Sequence, residues 1–567
     1  LRCLVPSSSS PATRQQPTPA LHTASKMARS LTGGSFGVQG MLKEGTKHLS
    51  GLEEATFKNI EAAKQLSSCV RTSLGPNGMN KMVINHLEKL FVTNDAATIV
   101  GELEVQHPAA KLLVMASNMQ EVEVGDGTNL VVVLAGELLS QAEELLKSGL
   151  HVSEIIGGYK AAEAKALASI DSLVTHTSPP AVLHDAPQLA SALRSVIASK
   201  QWGNEELFAA KIAEACTIAM PADPTKFNPD NIRVAKILGS SVLGTTVVRG
   251  MCLPRSALGT IKEVQGARVA VYGIPLDSAT TETKGTVLLK SAADLKNYND
   301  SEEAALEKTI KAIRDTGVNL IVCGQAVGEL ALHFCEKFGI LVLKCPSKFE
   351  LRRICRTTGA ANLVRLEPPA PDDIGSCARV YLKEIGSTNC TILEQEDATS
   401  KVATIVVRGS SPNIMDDVER AIDDGVHTVK AMTRDARFVA GAGGCELQLA
   451  DLLQQHAEAQ PGLDQYAINK YGLALEVVPR TLAENAGLDA ANIVAALYAA
   501  HKAGERSAGV NVVDGQVDAT TGVLDLLWTK KEALRQATDA AVTVLRVDQI
   551  IMSKPAGGPK KGDQPAM

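Results

Sequence analysis

The sequence contains few aromatic residues and no closely paired cysteines, and both absences exclude classes of function. Only 3% of its 567 residues are Phe, Trp or Tyr, which disfavours a surface on which nucleic-acid bases stack. Its eleven cysteines never stand as Cys-x-x-Cys, so the chain shows neither a zinc-binding pattern nor a disulfide framework. We therefore expect buried thiols in a reducing compartment.

Long apolar runs and long blocks of like charge are also missing. No apolar run approaches the roughly 18 residues that span a bilayer. The 57 basic and 63 acidic residues leave a net charge of −6 that is spread along the chain, without the basic face expected of a nucleic-acid binder. These features predict a soluble, cytoplasmic protein with no membrane and no nucleic acid among its partners.

Two common nucleotide-binding patterns do not occur, but three other Gly/Asp turns do. Neither G-x-x-x-x-G-K-[ST] nor G-x-G-x-x-G is present. The three turns are Leu74-Gly75-Pro76-Asn77-Gly78, Asn94-Asp95-Ala96-Ala97-Thr98 and Gly125-Asp126-Gly127-Thr128-Asn129. A solvent-exposed loop would be the ordinary interpretation of any one of them. Because all three lie close together in the sequence and each leads into an apolar run, they predict a pocket for a phosphate–metal complex.

The third turn is placed to bind an anion. Residues 130–146 have apolar side chains at helical spacing, expected to form one buried stripe at positions 131, 134, 138, 142 and 145. Gly127 and Thr128 would then lie at a helix N-terminus, where free N–H groups favour phosphate. The helix dipole contributes only about 0.3–2 kcal/mol, far short of the roughly 8 kcal/mol of micromolar binding. Asp126 supplies the missing partner, because Mg²⁺ is usually held by one or two carboxylates together with phosphate oxygens.

These turns resemble the nucleotide-site signatures of the group II chaperonins, the eukaryotic cytosolic and archaeal branch of that family. The resemblance covers residues 37–558 and continues through Thr281-Glu282-Thr283-Lys284-Gly285, Glu419-Arg420-Ala421-Ile422-Asp423-Asp424 and Leu545-Arg546-Val547-Asp548-Gln549-Ile550-Ile551. Ala96 stands where most members carry Gly, and Asn129 stands where most carry a second Thr. These departures resemble one particular subunit of the cytosolic complex.

The resemblance also implies the site residues and the cofactors, which are ATP and Mg²⁺. Asp95 and Asp424 match the acids that position and activate the attacking water, and Asp126 matches the metal ligand. A solvated helix carboxylate would be the ordinary interpretation of Asp424 on spacing alone. The implied nucleotide-binding residues are Leu74, Gly75, Pro76, Asp126, Gly127, Thr128, Asn129, Leu130, Ser199, Lys200, Gly441 and Asp518.

One further stretch departs from the family pattern at this site. Gly441-Ala442-Gly443-Gly444 replaces the usual Gly-Gly-Gly-Ala. A Cβ atom at Ala442 is expected to perturb a turn that prefers positive φ. Together with Ala96 and Asn129, this departure leads us to consider altered nucleotide turnover.

The order of helical and strand-like segments predicts one domain inserted within another. Residues 53–173 and 416–545 are helical in pattern, and strand-like runs lie between them at 267–272, 286–289, 318–323, 340–343 and 402–407. A helix is expected over 301–316, with Asp300 and Glu303 as a capping box and Gly317 as its end. The predicted fold class is multidomain α plus α/β, in the chaperonin architecture that the resemblance implies.

The resemblance assigns these segments to domains. It implies a helical equatorial domain (37–172 and 432–553), a small hinge-like intermediate domain (173–240 and 396–431) and an inserted α/β apical domain (241–395) with a protrusion near 275–299. Residues 554–567 would form a flexible tail. Residues 1–36 contain no Asp or Glu; we interpret them as a disordered or non-native leader rather than an organellar transit peptide.

Three hypotheses for function remain open at this point. The first is an ATP-hydrolysing chaperone that works with paralogous subunits in a hetero-oligomeric double ring and encloses unfolded clients such as actin and tubulin. The second is a structural ring subunit that holds nucleotide with little hydrolysis of its own. The third is an unrelated α/β metabolic enzyme, for which the sequence shows no separate catalytic constellation.

Overall fold

The computed structural model of the chain describes residues 47–50, 55–277, 291–395, 402–518 and 522–552, without the side chains of 47–50, 293–302, Asp518 and Met552. The chain divides into two compact units, Ser50–Gln549 and a smaller one that combines Leu1–Leu49 with Ile550–Met567. Strand β1 (Lys47–Ser50) pairs with the last strand, β18 (Gln549–Met552). The expected leader (1–36) and tail (554–567) lie outside the described residues.

Helices from both ends of the larger unit pack into one body with a shared apolar core. The N-terminal part contributes α1 (Phe57–Arg71), a hairpin of β2 (Lys81–Ile84) and β3 (Leu90–Thr93), α2 (Ala96–Glu102), α3 (Pro108–Glu123), α4 (Thr128–Lys147) and α5 (Val152–Ser169). The C-terminal part contributes α12 (Gly444–Glu458), α13 (Asp464–Leu475), α14 (Val477–Asn485), α15 (Ala490–Lys502) and α16 (Leu527–Leu545). Both segments that the sequence predicted to be helical therefore contribute helices to the same body.

Helix α4 lies at the centre of this body and carries the third glycine turn at its N-terminus. Fourteen of its twenty residues are buried, against α1, α3, α13 and α16. The five positions predicted to form a buried stripe are all buried, and the burial extends further than predicted, to Val132, Val133 and Leu139 on the other faces. The first nine residues of α4, 128–136, are buried on every face, so the turn that precedes the helix is anchored in the core.

A second layer packs beside the helical body and supplies the other side of the site. It contains α6 (Ala186–Ala198), α7 (Glu205–Ala219) and α11 (Pro412–Met432), packed on strands β5 (Ile232–Leu238) and β13 (Ala403–Gly409). An antiparallel sheet of β4 (Val174–Thr177), β14 (Arg437–Ala440) and β17 (Leu524–Leu526) contributes Phe438 and Leu526 to the same core. A short pair, β15 (Gly509–Val510) and β16 (Val517–Asp518), follows α15.

The middle of the chain forms an α/β region on a mixed sheet. Its further strands are β6 (Thr246–Leu253), β7 (Glu263–Tyr272), β8 (Leu320–Cys323), β9 (Leu341–Lys344), β10 (Asn362–Leu363), β11 (Gly375–Ile385) and β12 (Thr388–Glu394), and its helices are α8 (Ala292–Asp315), α9 (Glu329–Lys337) and α10 (Lys348–Thr358). The strand order is β5-β13-β6-β12-β11-β7-β8-β9, with β10 beside β7. Strands β7, β8 and β9 are parallel, whereas β11 and β12 form an antiparallel hairpin.

The structure tests several of the predicted elements. The strands expected at 267–272, 318–323, 340–343 and 402–407 are β7, β8, β9 and β13, whereas 286–289 and much of the expected protrusion lie outside the described residues. The helix expected over 301–316 is α8, which begins at Ala292. The capping box was therefore wrong, because Asp300 lies inside this helix. Gly317 does end it, with φ +88°. No helix in the described ranges combines the length and apolarity needed to cross a membrane.

Candidate nucleotide-binding site

The three glycine turns that the sequence singled out meet at one cavity of about 430 Å³. One turn follows α1, one connects β3 to α2, and one connects α3 to α4. Gly75, Gly125 and Gly127 have φ angles of +85°, +86° and +83°, which residues with a Cβ atom rarely adopt. Glycine is therefore what allows the first and the third turn to fold.

Close packing gives two of these glycines a second role. A Cβ atom at Gly75 would lie 2.4 Å from Cδ2 of Leu482, and one at Gly125 would lie 2.2 Å from Cβ of His427. His427 belongs to α11, the helix that also carries Asp424. The third turn thus lies directly against the helix of the predicted base.

Most of the predicted nucleotide-binding residues line the cavity. They are Leu74, Gly75, Pro76, Asp126, Gly127, Thr128, Asn129, Leu130, Ser199 and Lys200. Gly441 lies just behind the cavity wall. Its N–H donates to the carbonyl of Val523, a residue that lines the cavity. Asp518 lies in β16, and its side chain is outside the described part of the chain.

Asp95 and Lys200 form a buried ion pair beside this cavity. Nζ of Lys200 lies 2.7 Å from Oδ1 of Asp95, which also accepts a hydrogen bond from the Thr128 hydroxyl at 3.0 Å. Asp95 is the N-cap of α2, and its Oδ2 accepts from the N–H and the hydroxyl of Thr98 at 2.9 and 2.8 Å. Burial alone would raise the pKa of Asp95, but Lys200 and these bonds hold it well below its usual value. Asp95 is therefore a fixed, ionised carboxylate.

The same lysine contacts Asp424 from the other side. Oδ2 of Asp424 lies 3.2 Å from Nζ of Lys200, without an aligned hydrogen bond. Burial raises the pKa of Asp424 well above its usual value; Lys200 opposes this shift, and the charges of Asp95 and Asp126 reinforce it. Burial would lower the pKa of Lys200, but Asp424 and Asp95 raise it above its usual value. Lys200 therefore stays charged between two unlike carboxylates, one ionised and one with an elevated proton affinity.

Asp126 lies on the cavity wall, in the third turn. Its Oδ1 accepts a hydrogen bond from the N–H of Gly127 at 2.7 Å, and its carbonyl accepts one from Gln120 Nε2 at 2.8 Å. Burial raises the pKa of Asp126, and the charge of Lys200 opposes this shift. Among the described residues, no group of three or more His, Cys, Asp and Glu could hold a metal ion. A single carboxylate fits a Mg²⁺ ion that takes most of its ligands from phosphate and water.

A second buried cation at the cavity was not predicted. Lys530 of α16 lines the cavity, and its Nζ lies 2.5 Å from Oε1 of Glu446 and 2.8 Å from Oδ2 of Asp525. Glu446 is 3% exposed, and its other oxygen has no hydrogen-bond partner within the described part of the chain. Glu446 is the last residue of the glycine-rich stretch 441–446, and this position was the only sequence signal that it lies near the site. Its pairing with Lys530 depends on how α12 and α16 approach each other, and the sequence pattern does not show that.

Ala442 has the backbone strain that the sequence suggested. Its φ is +53°, and the next residue, Gly443, has φ +80° and precedes α12. Both residues line the cavity. This wall of the cavity is therefore built on a left-handed turn that includes one non-glycine residue.

Comparison with known proteins identifies the family. The model of the TCP-1/cpn60 chaperonin family matches residues 66–555. The chain belongs to this family. T-complex protein 1 subunit theta of Arabidopsis thaliana is 53% identical over 528 residues, which cover 93% of this chain and 96% of that protein.

Other relatives carry the same name at similar identity. The Homo sapiens protein is 51% identical over 525 residues, covering 92% of this chain and 95% of the relative. The Dictyostelium discoideum protein is 50% identical over 527 residues, covering 93% and 98%. These similarities confirm the family and the fold class expected from the sequence. They also confirm the likeness to a particular subunit, the theta subunit, that Ala96 and Asn129 had indicated.

Proposed function

We propose that this chaperonin subunit binds ATP with Mg²⁺ in the cavity and hydrolyses it. The observation that carries the proposal is Lys200, held between Asp95 and Asp424 beside the three turns that meet at the cavity. The cavity volume of about 430 Å³ lies within the range of small-molecule sites. Phosphoryl transfer depends mainly on positioning and on charge stabilisation, and this arrangement supplies both.

Each acidic residue has a separate task in the proposed reaction. Asp126 holds Mg²⁺, which neutralises phosphate charge when bound. Asp95, kept ionised by its donors, orients the attacking water. Asp424 takes the proton from that water as its oxygen bonds to the terminal phosphorus and ADP leaves; its raised pKa brings it closer to the value that suits a base at neutral pH. Lys200 balances the negative charge that gathers between them.

The biological role follows from the relatives' names and from the family resemblance. The relatives are named subunits of T-complex protein 1, which supports assembly of this chain with paralogous subunits in a hetero-oligomeric double ring in the cytoplasm. ATP binding and hydrolysis would close the ring around unfolded proteins, with actin and tubulin as the clients that the family resemblance suggests.

A second candidate is a ring subunit that holds nucleotide and hydrolyses little of it. Two observations favour it. The N–H of Ala96, at the start of α2, already donates to Asn129 at 2.9 Å and is not free for phosphate, and Ala442 introduces strain into the cavity wall.

Two measurements test these proposals. The native mass of the tagged chain in a eukaryotic extract should be that of a double ring containing related but different subunits. A monomer or a small dimer would contradict assembly. ATP hydrolysis by a complex in which only this chain's site is intact then separates the candidates, because sustained turnover supports the first and bound but unhydrolysed ATP supports the second.

A further inference from the structure

Asn129 lies in the third turn and bonds both to the second turn and to Ser73, the residue before the first. It is the second residue of α4, in the third turn, and it is 9% exposed. Its Oδ1 accepts a hydrogen bond from the N–H of Ala96 at 2.9 Å, whereas the Thr128 hydroxyl, 3.4 Å away, lies closer to Asp95 Oδ1 at 3.0 Å and donates there. Its Nδ2 donates to the carbonyl of Asn94 at 3.0 Å, and to the carbonyl and hydroxyl of Ser73 at 3.2 Å each.

These contacts use both N–H donors of the side chain. A carboxamide has two N–H donors and one acceptor oxygen; Asn94 and Ser73 take the donors, and Ala96 donates to the oxygen. The orientation of the amide is determined by its partners, because the N–H of Ala96 can only donate and the two carbonyls can only accept. Asn129 therefore lines the cavity but has no N–H donor left for a phosphate.

The bonded partners stand at the points where the other two turns begin. Ser73 precedes Leu74-Gly75-Pro76 in the first turn. Ala96 is the first residue of α2, and its N–H would otherwise be one of the unpaired donors of a helix N-terminus. Asp95, the residue before it, holds Lys200. Fixing the backbone at Ala96 consequently fixes the carboxylate that holds this cation.

We propose that Asn129 is a positioning residue that ties the three turns together before nucleotide binds, and that it makes no direct contact with the nucleotide. This proposal rests on the ATP binding proposed above. Without these bonds, ATP has to order the turns when it binds. The free energy of ordering them then weakens ATP binding and leaves the chemical step unchanged. A threonine at this position has a single hydroxyl donor and cannot hold both other turns.

The test uses the assembled complex carrying N129A or N129T in this chain. Hydrogen exchange of peptides spanning 72–79 and 94–100 is measured without nucleotide, and labelling of this chain by 8-azido-ATP is measured against ATP concentration. We expect faster exchange at Ala96 in both variants. We also expect a half-saturating ATP concentration about tenfold higher, with kcat near that of the wild type. Asn59→Ala is the control, because Asn59 is a buried asparagine (1% exposed) in the first turn of α1, about 20 Å along the helix from Ser73.

Several outcomes would overturn the proposal. Unchanged exchange at Ala96 would show that Asn129 does not hold the turns. ATP affinity retained in N129T would show that binding does not depend on Asn129 tying the turns. A loss confined to kcat would assign Asn129 to the chemical step. If the wild-type complex shows no ATP-dependent labelling of this chain, the proposed function fails instead, and exchange at Ala96 still decides whether Asn129 ties the turns.

Discussion

Asp424→Ala should slow ATP hydrolysis by this chain about 10²–10⁴-fold and leave ATP binding intact. A general base contributes this range of rate, equivalent to roughly 3–5 kcal/mol of activation free energy. Binding should survive, because the carboxylate of Asp424 lies in α11 and not in the turns that form the phosphate pocket. Asp424→Asn, which keeps the shape of the side chain, should slow hydrolysis by a similar factor.

The structure also indicates that this change leaves the fold stable. Lys200 keeps Asp95 at 2.7 Å when Asp424 is replaced, so the buried cation does not lose its only partner. Burial raises the pKa of Asp424, which means that its ionised form is disfavoured where it lies. Removing the carboxylate therefore removes an unfavourable buried charge, and this gain partly offsets the lost contact with Lys200.

Single-turnover hydrolysis is the appropriate assay, in a complex whose other subunits carry inactivating substitutions. Photolabelling with 8-azido-ATP measures binding by this chain separately. Asp423→Asn is the matched control, because Asp423 is the neighbouring residue on α11 and its side chain is exposed. Unchanged turnover in Asp424→Ala would refute its assignment as the base. A parallel loss of ATP binding and thermal stability would show that its role is structural.

Three further substitutions test the packing around the site. Lys200→Met should lower the free energy of unfolding by about 3–5 kcal/mol, because it leaves two buried carboxylates without their cation; an unchanged thermal melting curve would contradict this. Ala442→Gly should raise that free energy by about 1 kcal/mol by relieving the strain at φ +53°, and chemical denaturation measures the difference. Gly125→Ala should weaken ATP binding, because its Cβ would lie 2.2 Å from Cβ of His427; unaltered 8-azido-ATP labelling would show that the turn adapts.

The sequence predicted which helices and strands exist better than it predicted where they begin and end or which strands pair. Strands β7, β8, β9 and β13 were recognisable because both faces are buried and they form short apolar runs. The hairpin of β11 and β12 was missed: β11 mixes buried and exposed residues along its length. The start of α8 was placed too late, because its first turns contain Asp and Asn residues that weaken the helical pattern.

The site was predictable only as far as its parts are local in sequence. The turns around Gly75, Asp95 and Gly125 lie close together and carry their geometry in their own residues. The contacts of Lys200 with Asp424, and of Lys530 with Glu446, join elements that are distant in the chain. Only the family resemblance pointed to Lys200 and Asp424, and nothing in the sequence pointed to Lys530.

The three departures from the family pattern have different physical consequences, and this bears on the choice between the two candidate functions. Ala96 lies in the first turn of α2 and is buried, so glycine is not required there and the change introduces no backbone strain. Asn129 adds hydrogen bonds that hold the turns together, which favours tight nucleotide binding. Ala442 alone introduces strain, at φ +53°. If this subunit holds ATP without hydrolysing it, we therefore expect the cause at the turn of Ala442, and Ala442→Gly should then restore turnover more than any change at position 96.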